Sequence, residues 1–444
     1  MRRLLLLPAL ALVLMGAPVL ALQSTAPPVP TTEDLPVSAP VEQVAEGWVS
    51  TETPVDATLM GVRWNGDPGA EFTVEVQRAD GTWDAAEGIA GDDTEPDAGT
   101  PDAARQATQP GPEHATDPVW LGEDATAVRV GLEAGAASDV TVAAIDSSAA
   151  VAPSGSAGAL GVLGIVDGPD RYGFALALLG LALLLVACAF RWSPRRLTRG
   201  RVPAFVALGA IVLAACVPAA PPPPPPTGTP PGQPAMTSRA SWGGDLAFKC
   251  AGGPVSATSL KFAVVHHTAG SNSYAPGNSV GIIRGIYAYH VNTLRYCDVA
   301  YNFFVDKYGQ IFEGRWGGTD KPIIGGHSGG FNTSSTGIAV LGNYQTSNVP
   351  AAGWDAVVRL LRWKLSVHGV DPALGFSTVV ASSPCGCMHW PAGTLVSFPN
   401  AIVGHRELDA TLCPGGSFFA QFGALRSQVQ SGISIPPPTT TTVL

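Results

Sequence analysis

Two uncharged apolar blocks near the middle of this 444-residue chain constrain its fold most. They span residues 172–190 and 202–220, and each is long enough to cross a bilayer. Five arginines lie in the loop 191–201 between them. The positive-inside rule places this loop in the cytoplasm and both flanking parts of the chain outside. Buried core helices are the alternative, but the arginine loop and the adjoining linkers are not typical of a domain interior. The blocks therefore predict two transmembrane helices.

The second block has another interpretation. Its apolar core ends in Leu213-Ala214-Ala215-Cys216, which resembles a bacterial lipoprotein signal whose cleavage would leave Cys216 as a lipid-bearing N-terminus. Residues 1–22 are predicted to be a signal peptide, with Arg2 and Arg3 before an apolar run, or else an uncleaved signal anchor. Under every one of these interpretations the C-terminal part lies outside the cytoplasm, at a bacterial cell membrane.

Composition excludes one class of partner. The net charge of −10 and the pI near 5.2 argue against a nucleic-acid-binding groove. The length predicts two or three folded units. Between them we expect linkers at residues 23–35, 149–171 and 221–237, the last of polyproline type, and a disordered Pro/Thr-rich tail at 434–444.

Residues 36–148 have the pattern of a β-rich domain. Phe72, Val74 and Val76 alternate with polar residues, and Asp80-Gly81 follows as a turn signal. A small β-sandwich is the predicted fold, with a long loop from Gly91 to Asp117. No catalytic constellation occurs here, so the domain could bind glycan, recruit a partner or act as a spacer.

Residues 238–433 alternate strand and helix signals, which predicts an α/β domain. Phe262 to His266 is typical of a buried strand, and Val280 to Leu294 has helical spacing. Further strands are expected at 299–305, 310–312 and 336–341, and further helices at 354–365 and 418–429.

Metal-ligand residues occur at two places in this domain. His405 and Cys413 are eight residues apart and can close on one ion. His266, at the end of the buried strand, offers a third ligand, whereas His267 would face the opposite side of that strand. Two His and one Cys suit zinc and leave one position for water, as in catalytic sites.

Several motifs together resemble the zinc-dependent N-acetylmuramoyl-L-alanine amidases, a family shared with peptidoglycan recognition proteins. The motifs occur in family order, and the resemblance covers only the α/β domain. They are Arg239-Ala240-Ser241-Trp242-Gly243, Val265-His266-His267-Thr268-Ala269-Gly270, Asp298-Val299-Ala300-Tyr301-Asn302-Phe303, Gly309-Gln310-Ile311-Phe312-Glu313-Gly314-Arg315, Gly325-Gly326-His327, Gly337-Ile338 with Gly342-Asn343, and the segment from His405 to Cys413.

The resemblance implies a central mixed sheet flanked by helices and a specific set of site residues. It implies that His266, His405 and Cys413 bind Zn²⁺. Tyr301 would donate a hydrogen bond to the carbonyl oxygen during catalysis, or position the attacking water. Thr411 would make a secondary polar contact near the zinc.

Three further histidines are implied to contact the substrate peptide: His267, His290 and His327. A core role for His267 and a solvated helix-face position for His290 are the alternatives. No carboxylate emerges as a general base, and Glu313 fits a structural turn.

The cysteines that remain after zinc and the apolar blocks are even in number, as expected for an exported domain. The resemblance implies a Cys250–Cys297 disulfide. Cys385 and Cys387 would then be left with each other, although the one-residue spacer makes a strained ring. They could instead hold an adventitious soft metal together with His389.

The predicted function is hydrolysis of the amide bond between N-acetylmuramic acid and the L-alanine of the peptidoglycan stem, by a membrane-tethered monomer facing the cell wall. A peptidoglycan sensor that binds without cutting is the main alternative. A third interpretation is a surface scaffold whose β-rich domain recruits a partner.

Overall fold

The computed structural model describes residues 30–148 and 232–433. Short gaps fall at 31, 38–41, 45–46, 51, 90, 92–93, 109–112, 245–248 and 385–386. Both described ranges belong to one compact unit.

The first range is built from two antiparallel sheets. One has the order β1-β11-β5-β8 with β9 beside β5, and the other has the order β2-β3-β10-β6-β7 with β4 beside β10. Apolar side chains from both sheets share one core, and strand β6 alternates buried with more exposed residues, as its sequence predicts. The elements are β1 (Thr32–Pro36), β2 (Glu42–Val44), β3 (Gly47–Val49), β4 (Thr53–Pro54), β5 (Leu59–Gly66), β6 (Glu71–Arg78), β7 (Glu87–Ile89), helix α1 (Pro101–Gln106), β8 (His114–Ala115), β9 (Val119–Trp120), β10 (Ala125–Ala134) and β11 (Ala137–Ile145).

The second range is an α/β domain around a mixed sheet of order β14-β13-β15-β12-β18. Strands β13, β15, β12 and β18 are parallel, and β14 is antiparallel to β13. The elements are α2 (Arg239–Trp242), β12 (Phe262–His267), α3 (Ser279–Ala288), a π-helical turn (Tyr289–Thr293), β13 (Phe303–Val305), β14 (Ile311–Glu313), β15 (Ser335–Val340), α4 (Ala351–Val367), β16 (Phe376–Val379), β17 (Leu395–Phe398), β18 (Ile402–Gly404), a 3₁₀ turn (His405–Glu407), α5 (Gly416–Phe419) and α6 (Phe422–Ser431). The predicted mixed α/β domain is confirmed.

Strand β12 is buried along its whole length because both faces of the sheet are covered. One apolar cluster includes residues of α3, and another includes residues of α4 and α6. Since β12 and β18 run parallel, with Val265 opposite Gly404, their carboxyl ends meet at one edge of the sheet. The histidines that follow are thereby brought together.

The β-rich domain packs directly on helix α3. Leu59, Trp120 and Ile145 belong to the same buried cluster as Ile283 of that helix. A methyl group built on Gly285 would lie 2.9 Å from the nearest Leu59 carbon, so the glycine permits the close approach. The two domains therefore share a core, which the sequence did not predict.

The fold prediction also included two membrane segments, and the part of the chain that the structure describes contradicts it in that respect. Among the residues that the structure describes, no helix is long and apolar enough to cross a bilayer. The predicted segments at 172–190 and 202–220 lie outside the described residues, as do the predicted signal peptide, Cys216 and the tail. The described residues form an α/β domain joined to a β-rich domain.

Candidate metal centre

Three potential metal ligands converge at the carboxyl edge of the sheet. His266 lies on β12, His405 opens the 3₁₀ turn after β18, and Cys413 follows in the next loop. Their ligand atoms all lie within 4.8 Å of one another, and all three residues are buried. Cys413 Sγ is 3.6 Å from His266 Nδ1. Two imidazole nitrogens and one sulfur are a donor set that suits zinc, so these residues fit that ion.

Hydrogen bonds to the outer nitrogens orient both imidazoles. His405 Nε2 lies 2.8 Å from Asp409 Oδ2, and His266 Nε2 lies 3.2 Å from His327 Nδ1. The nitrogen that could coordinate an ion is therefore Nδ1 in each ring. Metal-binding histidines usually have such outer partners, which fix the ring and raise its basicity.

Burial favours the neutral form of these rings. Desolvation holds the pKa of His266 well below its ordinary value, and the nearby His405 and His327 add to the effect. Burial likewise lowers the pKa of His327 to about 3. Neutral imidazole is the form that binds a metal, so the site is preorganised for one.

Tyr301 lies beside the cluster, just before β13. It is buried, and its ring centroid is 5.2 Å from that of His266. The ring centroid of His290 lies 5.8 Å from that of Tyr301, and His290 Nδ1 accepts a hydrogen bond from Ala300 N at 2.9 Å. His290 thus supports the backbone that carries Tyr301.

Part of the chain is similar in sequence to known proteins. A sequence model of the family described as N-acetylmuramoyl-L-alanine amidase matches residues 256–416. Peptidoglycan-recognition protein SC2 of Drosophila melanogaster is 31% identical over 181 residues, which are 40% of this chain and 80% of that protein. This chain belongs to the N-acetylmuramoyl-L-alanine amidase and peptidoglycan recognition protein family.

Two further known proteins are similar to part of this chain. Peptidoglycan recognition protein 1 of Bos taurus is 30% identical over 187 residues, which are 42% of this chain and 80% of that protein. The solved N-acetylmuramoyl-L-alanine amidase LysC from Clostridium intestinale is 17% identical with a TM-score of 0.32, over 46% of this chain and 100% of that one. The family match begins at residue 256, so the β-rich domain lies outside it.

The remaining predicted residues of the amidase-family site lie close to the cluster. His267 faces away from His266, and its Nδ1 accepts a hydrogen bond from Tyr344 N at 3.1 Å. Thr411 Oγ1 accepts a hydrogen bond from Cys413 N at 3.0 Å, so it shapes the loop that presents the thiol. Substrate contacts by His267, His290 and His327 stay a prediction, and all three side chains are buried.

Sequence reasoning missed the partners that hold the ligands. Asp409 is almost fully buried and also accepts a hydrogen bond from Ser328 Oγ at 2.8 Å. Its position four residues after His405 was a usable signal, because a metal-binding histidine commonly needs a carboxylate partner. Ser328 gave no comparable signal.

The disulfide that the resemblance implied is present. Cys250 and Cys297 are bonded, with their Cα atoms 5.2 Å apart, within the ordinary range. Cys387 is disulfide-bonded as well, and Cys385 lies outside the described residues. Among the described cysteines, Cys413 is the one that is not disulfide-bonded.

Proposed function

We propose that this protein is a zinc-dependent hydrolase that cleaves the amide bond between N-acetylmuramic acid and the L-alanine of the peptidoglycan stem peptide. One observation carries the proposal: His266, His405 and Cys413 converge with Tyr301 beside them. Membership of a family described by this amidase activity supports the choice of substrate.

Each residue would have a defined task. Bound zinc would supply an electrophilic centre that polarises the scissile carbonyl and activates water. Asp409 and His327 keep the two imidazoles in the orientation that binds the ion. Tyr301 would donate its phenolic hydrogen bond to the carbonyl oxygen as negative charge develops there.

A peptidoglycan sensor without hydrolysis is the second candidate. Its support is that the similar relatives are named for peptidoglycan recognition. Non-hydrolytic members of the family typically lack the zinc cysteine, whereas Cys413 is present here within the cluster. That cysteine is the reason to prefer the hydrolase.

A location outside the cytoplasm is part of the proposal. The Cys250–Cys297 disulfide supports it, since such bonds persist in oxidising compartments. Peptidoglycan lies outside the cytoplasm as well.

The experiment is to incubate the zinc-loaded full chain with purified peptidoglycan and to quantify new L-alanine amino termini. Cys413→Ser is expected to lose zinc and activity together. Tyr301→Phe is expected to retain zinc and to lower kcat about 100-fold, because one oxyanion donor is removed. His389→Asn, at an exposed position outside the cluster, is the control. Binding of muropeptide with no new amino termini, at full zinc content, would establish the sensor instead.

A further inference from the structure

A loop of the β-rich domain lies against the α/β domain close to the metal centre. We call residues 94–108 the bracing loop; it contains the short helix α1. Two of its acidic residues, Asp97 and Asp102, are almost completely buried. A carboxylate loses much solvation when it leaves water, so it is stable there only with strong partners. Both carboxylates take their partners from the α/β domain.

Asp97 accepts four hydrogen bonds from the α/β domain. Its Oδ1 accepts from Gly330 N at 2.8 Å and from Asn332 Nδ2 at 3.0 Å. Its Oδ2 accepts from the backbone and hydroxyl of Thr333, at 3.2 and 3.1 Å. Asp97 therefore fixes both the backbone of residues 330–333 and the amide orientation of Asn332.

Asn332 continues this network to both metal-binding histidines. Its Oδ1 accepts hydrogen bonds from His327 N at 2.7 Å and Ser328 N at 3.1 Å. The His327 ring is the outer partner of His266. Ser328 holds Asp409, which is the outer partner of His405. One buried amide thus supports the residues that orient both imidazoles.

Asp102 extends the support to the segment that carries Tyr301. Asp102 Oδ1 accepts a hydrogen bond from Cys297 N at 2.9 Å, and its Oδ2 pairs with the buried guanidinium of Arg315. Arg315 donates from its side chain to Val299 O and from its backbone to Tyr301 O. The bracing loop thereby contacts both segments that flank the metal centre.

We propose that the β-rich domain positions the metal centre of the α/β domain through the bracing loop, and that Asp97 is a positioning residue acting through Asn332. Simple packing of two domains requires only apolar contact. Here a chain of at most four polar contacts connects one of the two buried carboxylates to each of His266, His405 and Tyr301. The β-rich domain lies outside the family match, so this support is an addition to the matched part of the chain.

The test measures zinc affinity in the full-length chain and does not depend on hydrolysis. The metal is removed, and Zn²⁺ is titrated in competition with a chromophoric chelator for the unaltered chain, Asp97→Ala and Asp97→Asn. We expect both variants to raise the zinc Kd about tenfold, as changes to outer-sphere partners do. The asparagine variant keeps the side-chain volume but brings an amide N–H toward the Thr333 donors.

The control is Glu123→Ala, an acid of the β-rich domain that accepts from Asn278 Nδ2 at 2.8 Å, at an exposed part of the same interface. Its zinc Kd should not change. The visible spectrum of the Co²⁺-loaded protein gives a second readout, and it should shift in both Asp97 variants because ligand geometry changes.

Unchanged zinc Kd and Co²⁺ spectrum in Asp97→Asn would overturn the proposal, as would an equal loss of affinity in Glu123→Ala. Because the readout is metal binding, failure of the proposed amidase activity leaves this result interpretable.

Discussion

Strand β6 of the β-rich domain and strand β12 of the α/β domain differ in where they place polar residues. Strand β6 alternates, so its polar side chains lie on its more exposed face. Strand β12 is buried throughout, yet it ends in His266 and His267. A polar residue in such a strand is stable only where the surroundings supply partners. The partners that His266 and His267 find at the end of β12 therefore mark the candidate metal centre.

The bracing loop is the exception that joins the two regions. Asp97 and Asp102 belong in sequence to the β-rich domain, but their environment is that of the α/β interior. The contact between the domains is thus built like a protein core. Three predictions test whether buried groups in and near this contact behave as those of a protein core do.

The largest expected effect on stability follows from removing Asp102. Asp102→Ala leaves the Arg315 guanidinium buried without its carboxylate, which should lower the free energy of unfolding by about 3–5 kcal/mol. The double variant Asp102→Leu with Arg315→Met removes both charges and should lose much less than the sum of the single changes. Urea denaturation of the full chain measures the free energy of unfolding of the unaltered protein, Asp102→Ala, the single variants Asp102→Leu and Arg315→Met, and their double variant.

The matched control is an ion pair at the surface of the same domain. Glu75 and Arg129 lie 3.6 Å apart and are each about one-third exposed. Glu75→Ala should cost less than about 1 kcal/mol, because water screens this pair. Equal losses for Asp102→Ala and Glu75→Ala would show that the interface does not behave as a core.

The convergence of the three candidate metal ligands was predictable from sequence because their signals are local. His405 and Cys413 occur in one short segment, and His266 ends a recognisable buried strand. The parallel pairing of β12 with β18 then places these segments side by side. The helix predicted over 280–294 was correct only in part, since the chain changes to a π-helical turn at Tyr289.

The support around the ligands was not predictable in the same way. Asp97 and Asn332 are 235 residues apart, and Asp102 and Arg315 are 213 apart. In the sequence both aspartates resemble ordinary acidic loop residues, because nothing local indicates burial. Only the packing of the β-rich domain on the α/β domain removes them from water and gives them their partners.

The second prediction concerns the apolar part of the same interface. Leu59 is fully buried between the domains and contacts the position of Gly285 on α3. Leu59→Ala should lower the free energy of unfolding by about 3 kcal/mol, through lost burial and the cavity that remains. Leu395→Ala, at a side chain that is 68% exposed, should change it by less than about 0.5 kcal/mol. A loss at Leu59 as small as that at Leu395 would contradict a shared core.

The smallest expected effect is a dependence of the free energy of unfolding on pH that arises from the buried His290. Burial lowers the pKa of His290 to about 3, from an ordinary value of 6.5. Below pH 6.5 the unfolded chain takes up a proton at His290 and the folded chain does not, so stability falls as the pH falls from 6.5 toward 3. The loss from this residue is about 1 kcal/mol for each pH unit.

His290→Asn removes this titration and keeps an oxygen that can accept from Ala300 N, in place of the Nδ1 that accepts at present. Urea midpoints at pH 7, 6 and 5 should therefore fall less steeply for this variant than for the unaltered chain. Parallel slopes for the two proteins would mean that His290 is protonated in the folded state, which its burial and its ring contacts with Tyr296 and Tyr301 oppose.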